Sequence, residues 1–122
     1  MPKTILIVDD SSSLRKAVQI ALQGAGYDVV EAEDGKHALT KLDGRKYHLV
    51  ISDVNMPNLD GYGFVEAMKQ MAAYKYTPVV MLTTENGDDK KERGRQVGAK
   101  AWIVKPFMPP QLLTVVSKLV MP

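Results

Sequence analysis

Short runs of β-forming residues alternate along this chain with segments whose apolar residues recur at helical spacing. The β-rich runs are at Thr4–Val8, Asp28–Ala32, His48–Ser52, Pro78–Leu82 and Ala101–Val104. This alternation predicts an α/β fold, in which a doubly wound sheet of five parallel strands carries helices on both faces. The near-continuous apolar runs of strands one, three and four fit strands buried on both faces, and the more polar second strand fits an edge.

Five helices are predicted to alternate with these strands. The first follows the serines at 11–13, which can cap its amino end, and stops at Gly24 and Gly26. Three more are predicted at Lys36–Leu42, at Phe64–Ala72 and from Pro110 onward. The remaining helix, the fourth in chain order, is predicted at residues 87–98. This segment has almost no apolar stripe, so the helix is predicted there only because the alternation requires one. Such a helix would face solvent and be weakly held, since helices gain most of their stability from packing an apolar face.

The bulk composition restricts the classes of protein to which the chain can belong. Its 122 residues, of which 45% are hydrophobic and 25% charged, are typical of one soluble globular domain over residues 1–122. The net charge of +2 gives no overall field that would favour nucleic acid or a membrane surface. The chain has no cysteine for a disulfide or thiolate site, and no apolar run approaches about 18 residues, so we expect a cytoplasmic protein.

Polar side chains follow four of the five predicted strands. They are Asp9, Asp10, Asp53, Thr83, Thr84 and Lys105. Ligands of open parallel sheets bind outside the carboxyl ends of the strands, so we expect these residues to meet at one edge of the sheet. Taken singly, each has an ordinary structural explanation, because aspartates cap helices and form turns, lysines are solvated and threonines suit strands.

Three carboxylates at one edge would repel one another, and a hard divalent cation is the simplest way to hold them ionised. Mg²⁺ usually combines one or two carboxylates with waters and a phosphate, and a lysine and a hydroxyl beside it suit phosphoryl oxygens. His37 and His48 stand apart from any cluster with zinc-ligand spacing. The predicted chemistry is phosphoryl transfer onto a carboxylate. Asp53 is the candidate nucleophile because it lies on the central strand, facing the acidic pair.

Four short motifs resemble those of the receiver domains of two-component response regulators, and among these the single-domain chemotaxis regulators. They are VDDS at 8–11, DVNMPNLDG at 53–61, LTTE at 82–85 and VKPF at 104–107. The resemblance extends over essentially all 122 residues. It implies a flavodoxin-like (βα)5 fold with strand order 2-1-3-4-5, and a signalling switch that is phosphorylated with the help of Mg²⁺.

The resemblance also implies a role for each residue around the phosphorylation site. Asp53 would be the phosphorylated aspartate. Asp10 would bind Mg²⁺ directly, Asp9 mainly through a bound water, and Asn55 through its backbone carbonyl. The side chains of Asn55 and Glu85 would affect how fast the phosphoryl group is lost.

The implied switch involves the last two strands. Lys105 would hold a phosphoryl oxygen, and its peptide bond to Pro106 would be cis. Thr83 would be the hydroxyl that moves toward the phosphoryl group, and Trp102 occupies the position of the aromatic residue that reads out the change. An acyl phosphate adds about two negative charges, and a ring on the neighbouring strand could fill the space that the threonine leaves. The surface formed by the fourth helix, strand five and the fifth helix would then change.

Three features depart from the family pattern. Trp102 stands where the family usually has Tyr or Phe, so an inward rotamer needs more room, and a fixed packing role is the alternative interpretation. Thr84 stands where the family favours a smaller residue, and its bulk is expected to slow both phosphorylation and hydrolysis. The charge run at 88–100 is most simply a solvated face, although it could tune a partner preference.

The resemblance implies partners as well. A histidine kinase would donate phosphate from a phosphohistidine, and a phosphatase could end the signal. Because the chain ends about where the fifth helix ends, output is expected through binding to another protein, such as a flagellar motor switch component. The domain would catalyse its own phosphorylation and slow dephosphorylation without being a turnover enzyme. We expect a chemotaxis or related motility pathway.

Three other functions fit parts of the pattern. An aspartyl-phosphate phosphohydrolase would need a general acid two residues after its nucleophile, where Asn55 cannot donate and recover a proton. A flavodoxin-like carrier could hold a flavin phosphate at the serines of 11–13, but Asp9 and Asp10 would repel it. A receiver-like docking domain that is never phosphorylated would need none of the site residues, yet all of them are present.

Overall fold

The structure is a computed structural model of the chain that describes residues 2–84 and 96–120. Within these ranges the chain forms five strands and four helices. In chain order they are β1 (Thr4–Val8), α1 (Ser12–Gly24), β2 (Asp28–Ala32), α2 (Gly35–Lys41), β3 (Leu49–Asp53), α3 (Gly61–Lys69), β4 (Val79–Thr83), β5 (Ala101–Val104) and the C-terminal helix α4 (Pro109–Leu119).

The strands form one parallel sheet with the order β2-β1-β3-β4-β5. This confirms the predicted α/β fold and its strand order, including the position of the polar strand β2 at an edge. The order reverses at β1, which has β2 on one side and β3 on the other. The carboxyl ends of β1 and β3 are therefore neighbours at the point where ligands of such sheets bind.

Apolar side chains pack on both faces of the sheet. The core on the face covered by α2 and α3 includes Leu6, Val50, Phe64, Val65, Met68 and Met81. The core on the opposite face, covered by α1 and the C-terminal helix, includes Ile5, Ile7, Leu22, Leu82, Leu112 and Val116. Because both faces are covered, β3 and β4 are buried along their whole length, which explains their continuous apolar runs.

Side-chain caps start the first two helices. The Ser11 hydroxyl accepts a hydrogen bond from the Leu14 N–H at 3.2 Å, as predicted for α1. The Asp34 carboxylate accepts one from the His37 N–H at 2.8 Å and caps α2. The run of serines at 11–13 therefore lies at the start of a helix, and Ser11 caps it, as predicted.

Two predicted strands are displaced by one residue. The sequence placed strand three at His48–Ser52 and strand four at Pro78–Leu82. In the structure β3 and β4 each start and end one residue later, because the ladder continues through Asp53 and Thr83. The polar residues that follow the apolar runs are thus the last residues of their strands.

Helix boundaries differ more. The third helix was predicted at Phe64–Ala72 but spans Gly61–Lys69, because the Asp60 carboxylate caps it through the Gly63 N–H at 2.8 Å and the chain turns after Gln70. The second and the C-terminal helices each begin one residue before the predicted start.

The predicted fourth helix, residues 87–98, falls largely on residues 85–95, which lie outside the described ranges. It stays a prediction, as does the role of the charge run at 88–100. None of the helices in the described ranges has the length and apolar character needed to cross a membrane.

Candidate functional site

Two aspartates meet where β1 and β3 end. The register pairs Val8 with Ser52, so the next residues, Asp9 and Asp53, lie side by side. Asp9 is fully buried and Asp53 is 5% exposed, whereas Asp10 is exposed. Buried carboxylates are costly unless their charges are balanced, so this edge of the sheet requires positive charge.

The three carboxylates of Asp9, Asp10 and Asp53 are close enough to share one cation. One oxygen from each lies within 4.8 Å of the other two. Two oxygens bound to one Mg²⁺ are separated by about 3–4 Å, so a small adjustment would complete an ion site. A donor set made only of oxygens favours a hard ion such as Mg²⁺ over zinc.

The two histidines do not contribute to this cluster. The Nδ1 atom of His48 accepts a hydrogen bond from the Thr4 N–H at 3.1 Å, at the first residue of β1 and just before β3, which is the opposite end of these strands from the aspartates. The Nδ1 atom of His37 accepts one from the Glu33 N–H at 3.1 Å in the turn before α2. Both rings therefore have structural partners away from the three carboxylates.

Lys105 supplies positive charge to the buried aspartates. Its Nζ lies 2.9 Å from Asp9 Oδ2 and 3.2 Å from Asp53 Oδ1. Its backbone N–H donates to the Thr83 carbonyl oxygen at 2.7 Å, which ties the end of β5 to β4. The peptide bond between Lys105 and Pro106 is cis, the geometry that the resemblance implied. One ammonium group thus connects the ends of β1, β3 and β5.

The electrostatics of the site disfavour the charge on Asp53. Burial, and next the negative charge of Asp9, raise the pKa of Asp53 above the usual carboxyl range, while Lys105 and the Asn55 N–H oppose the rise. Burial alone would lower the pKa of Lys105, but its hydrogen bonds and ion pairs with the two aspartates outweigh burial and raise that pKa. The lysine is held as a cation, and a further cation would relieve the repulsion between the carboxylates.

Two contacts fix the acidic end of β1. The Ser11 N–H donates to Asp9 Oδ1 at 2.8 Å. The guanidinium of Arg15 donates through Nη1 to the Asp9 carbonyl oxygen at 2.6 Å, and its Nε forms an ion pair with Glu31 at 3.2 Å. Arg15 is not among the predicted site residues. In the sequence it is marked only by its position in the helix that directly follows the two aspartates.

Thr83 and Trp102 lie on neighbouring strands. The register pairs Thr83 with Val104 and Met81 with Trp102. Residues two apart in a strand point to the same face, so the side chains of Thr83 and Trp102 share one face of the sheet. Thr83 is 1% exposed, and Trp102 is half-buried and packs against the core that contains Met81. The two residues of the predicted switch therefore lie on one face of neighbouring strands, and the switch itself stays a prediction.

A groove of about 400 Å³ opens beside Lys105. Its lining residues are Ser11, Leu14, Thr84, Lys105, Pro106 and Phe107. The exposed Thr84 stands on this groove, and Asn55 is exposed in the loop after Asp53. Glu85, the other residue predicted to affect the phosphoryl lifetime, lies outside the described ranges.

The sequence matches a known protein family and several of its members. Residues 5–117 match the response regulator receiver domain family. Protein PilG of Pseudomonas aeruginosa is 37% identical over 109 residues, which cover 89% of this chain and 81% of PilG. Chemotaxis protein CheY1 of Helicobacter pylori is 38% identical over 107 residues, which cover 86% of each chain.

Solved structures agree with the sequence relatives. The structure of chemotaxis protein CheY4 of Vibrio cholerae superimposes with a TM-score of 0.94 at 45% identity and covers 98% of this chain and 99% of that one. Other relatives are longer transcriptional regulators, of which the chain spans 44–48%. The same domain is therefore found in proteins about twice as long as this sequence.

Proposed function

Because this chain belongs to the response regulator receiver domain family, we propose that it is a phosphorylation-activated switch of a two-component system. Asp53 accepts a phosphoryl group from a phosphohistidine of a histidine kinase. Asp9, Asp10, Asp53 and the backbone carbonyl of Asn55 are the proposed holders of Mg²⁺. The observation that carries the proposal is the Lys105 ammonium between two buried carboxylates at the switch point of the sheet.

The proposed transfer breaks the P–N bond of the donor and forms a P–O bond to a carboxylate oxygen of Asp53. The electron pair of the broken bond remains on the imidazole nitrogen. Lys105, 3.2 Å from Asp53 Oδ1, neutralises charge on the arriving phosphoryl oxygens, and Asp9 keeps hold of the lysine while Asp53 reacts. A bound Mg²⁺ supplies further positive charge to the same oxygens.

The proposed readout runs from Thr83 to the surface around β5. Thr83 moves to hydrogen-bond the new phosphoryl group, and the Trp102 ring moves into the space left behind. Their placement on one face of β4 and β5 supports this coupling. The predicted fourth helix, β5 and the C-terminal helix then present an altered surface to an output protein, such as a flagellar motor switch component in a chemotaxis pathway.

The lifetime of the phosphoryl group depends on the residues around it. The exposed Thr84 on the groove beside Lys105 narrows the approach for donor and water, which slows both reactions. Asn55 and Glu85 act in the opposite direction by favouring a short lifetime, and a phosphatase shortens it further. The protein is a stoichiometric phosphoacceptor with slow autodephosphorylation rather than a turnover enzyme. Residues 1–122 act as one receiver domain in the cytoplasm.

Phosphorylation tests the site assignment directly. Incubation with a small phosphodonor such as acetyl phosphate, with Mg²⁺, should add one phosphoryl group to the intact protein by mass spectrometry, and chelation of the ion should prevent it. Asp53→Asn should remove this labelling. Asp28→Asn is the matched control, because Asp28 is an exposed aspartate at the start of β2. Labelling that persists in Asp53→Asn would refute the assignment of the phosphorylated residue.

The switch is tested separately from the transfer. Beryllofluoride, which mimics a phosphoryl group on aspartate, should change the fluorescence of Trp102 beyond any change caused by Mg²⁺ alone. Thr83→Ala should still be labelled by the phosphodonor but should show a weakened fluorescence response. A full response in Thr83→Ala would show that the change at Trp102 does not depend on the threonine.

A further inference from the structure

The loop that follows Asp53 is closed at its base. The Gly61 N–H donates to the Val54 carbonyl oxygen at 2.9 Å, so the chain returns to β3 after residues 54–60. Gly61 has no room for a side chain, because a Cβ there would collide with the Asp53 carbonyl oxygen. The backbone of Asp53 is thus in direct contact with the far end of the loop. The end of the loop is therefore packed against the residue that precedes Val54 and Asn55 in the chain.

This loop contains a strained turn. Asn58 has φ 69°, and within the described ranges it is the only non-glycine residue with a positive φ. The Leu59 N–H donates to the Pro57 carbonyl oxygen at 2.7 Å, so the two residues flanking Asn58 are joined by a γ-turn bond. Such turns with a positive φ are rare and strained, and they persist only when surrounding contacts hold them.

Asp34 supplies one contact that holds the turn. The Asn58 Nδ2 donates to Asp34 Oδ2 at 2.8 Å, while Asp34 Oδ1 accepts the His37 N–H at 2.8 Å. Asp34 is only 7% exposed, and these hydrogen bonds, first that of His37 and then that of Asn58, lower its pKa. The turn is therefore tied to a charged acceptor that is fixed at the start of α2.

The backbone of α2 supplies a second contact. A Cβ on Gly35 would lie 2.9 Å from the Leu59 Cβ and would also meet the Leu59 carbonyl oxygen. Glycine at position 35 therefore lets the first turn of α2 approach the loop closely. The helix and the loop are therefore also in contact one residue after the Asp34–Asn58 hydrogen bond, at Gly35 and Leu59, while Asn58 itself is exposed.

We propose that Asn58 is a positioning residue for the ion site, and that its hydrogen bond to Asp34 holds the loop in the shape that presents Asp53 and the Asn55 carbonyl to the cation. The inference rests on the proposed function, because it assumes that this cation is bound. Without the hydrogen bond the turn is no longer tied to α2, so the loop samples other shapes and the carbonyl of Asn55, three residues earlier, loses its fixed position. Binding the ion then requires the loop to be ordered again.

Two single variants separate this role from ordinary structural roles. Asp34→Ser keeps a strong helix cap but has a side chain too short to reach Asn58. Asn58→Gly accepts a positive φ without strain but has no amide to donate. Both should weaken Mg²⁺ affinity, measured by titration calorimetry, by about tenfold. Amide hydrogen exchange of residues 54–60 in the ion-free protein should become faster in both.

An exchanged pair provides the rescue experiment. Asn58→Asp alone places two carboxylates against each other and should weaken Mg²⁺ affinity further. The double variant Asn58→Asp with Asp34→Asn exchanges the amide and the carboxylate, so one N–H···O bond can form again at unchanged net charge. This pair should recover most of the affinity and of the exchange protection. A purely structural role would change the unfolding temperature of these variants without this pattern in Mg²⁺ affinity.

The outcomes distinguish a failure of the proposed function from a failure of the positioning role of Asn58. If the unmodified protein neither binds Mg²⁺ nor is labelled on Asp53, the proposed function itself fails. If it does both, and Asp34→Ser and Asn58→Gly bind Mg²⁺ within twofold of it, the positioning role is overturned and the function stands. Failure of the exchanged pair to bind more tightly than Asn58→Asp alone would also overturn it.

Discussion

Buried polar groups differ between the carboxyl edge of the sheet, where the strands end, and the amino edge, where they begin. At the carboxyl edge Asp9 and Asp53 share the ammonium of Lys105, and burial together with the charge of Asp9 raises the pKa of Asp53. At the amino edge the two buried tyrosines, Tyr47 and Tyr74, are neutral and form conventional hydrogen bonds. The Tyr47 hydroxyl, for example, donates to the Lys41 carbonyl oxygen at 2.8 Å.

Tyr74 also forms neutral hydrogen bonds at the amino edge. Its hydroxyl accepts the Gly44 N–H at 3.0 Å and donates to the Arg45 carbonyl oxygen at 2.6 Å, so one side chain satisfies two backbone groups. Its ring lies 6.0 Å from that of Tyr47. Neutral pairs of this kind add stability, whereas crowded carboxylates reduce it until a ligand relieves them. The amino edge therefore contributes stability, whereas the carboxyl edge carries ligand-dependent chemistry.

The largest expected effect is at the amino edge. Tyr74→Phe removes the hydroxyl and leaves the Gly44 N–H and the Arg45 carbonyl without this partner, so the free energy of unfolding should fall by about 2 kcal/mol. Urea denaturation at neutral pH measures the loss, and Mg²⁺ affinity should stay unchanged. Tyr76→Phe is the matched control, because Tyr76 is 86% exposed. Equal losses in the two variants would contradict the structural role of Tyr74.

The carboxyl edge should give a change of opposite sign. Because the native environment disfavours a charge on Asp53, Asp53→Asn should raise the free energy of unfolding of the ion-free protein by about 1 kcal/mol, while Lys105 keeps its contact with Asp9. Mg²⁺ should raise the unfolding temperature of the unmodified protein and have little effect on the variant. Loss of stability in the ion-free variant would show that the Lys105–Asp53 pair outweighs the repulsion.

The sequence predicted the fold and the cluster at the carboxyl edge because both depend on strong, local patterns. Apolar runs that end in Asp9-Asp10, Asp53 and Lys105 need only the rule that parallel strands end at one edge. That rule brings the side chains together without any knowledge of rotamers. The outcome in the structure is the pair of contacts from Lys105 to the two buried aspartates.

Other contacts could not be predicted because they join residues whose local patterns have an independent explanation. Asp34 fits a helix cap and Asn58 fits a turn, so nothing in the sequence indicates a hydrogen bond across 24 positions. Arg15 fits the polar side of a helix. A glycine such as Gly61 has low helix propensity, although the close approach to Asp53 requires it at the start of α3. Such details depend on tertiary packing, which overrides local propensity.

Alkaline pH should weaken the amino edge through Tyr47. Burial, opposed by Arg45, raises the pKa of Tyr47 from 10.0 to about 12. Between these pH values the native protein keeps a proton that the unfolded chain releases. The contribution of the Tyr47 hydroxyl to the free energy of unfolding is therefore complete below pH 10.0 and is lost as the pH rises toward about 12. The stability difference between the unmodified protein and Tyr47→Phe should shrink over this interval. A constant difference would mean that the phenol titrates equally in both states.

The smallest expected effect is the acid response of His48. Burial, and next Lys3 and Lys46, lower the pKa of His48 below 6.5, so the unfolded chain binds a proton more readily than the native protein. The stability that the neutral His48 ring contributes to the native protein is present above pH 6.5 and is lost as the pH falls through the native pKa.

Replacement of the imidazole sharpens this test. His48→Asn retains an acceptor for the Thr4 N–H but does not titrate. Urea unfolding at several pH values from neutral to mildly acidic should show the unmodified protein losing stability relative to His48→Asn. Parallel curves would show that His48 protonates equally in both states. The expected result would mean that protonation of His48 places a third cation beside Lys3 and Lys46. Acid would then impose repulsion between cations on the amino edge, as the carboxyl edge has repulsion between carboxylates at neutral pH.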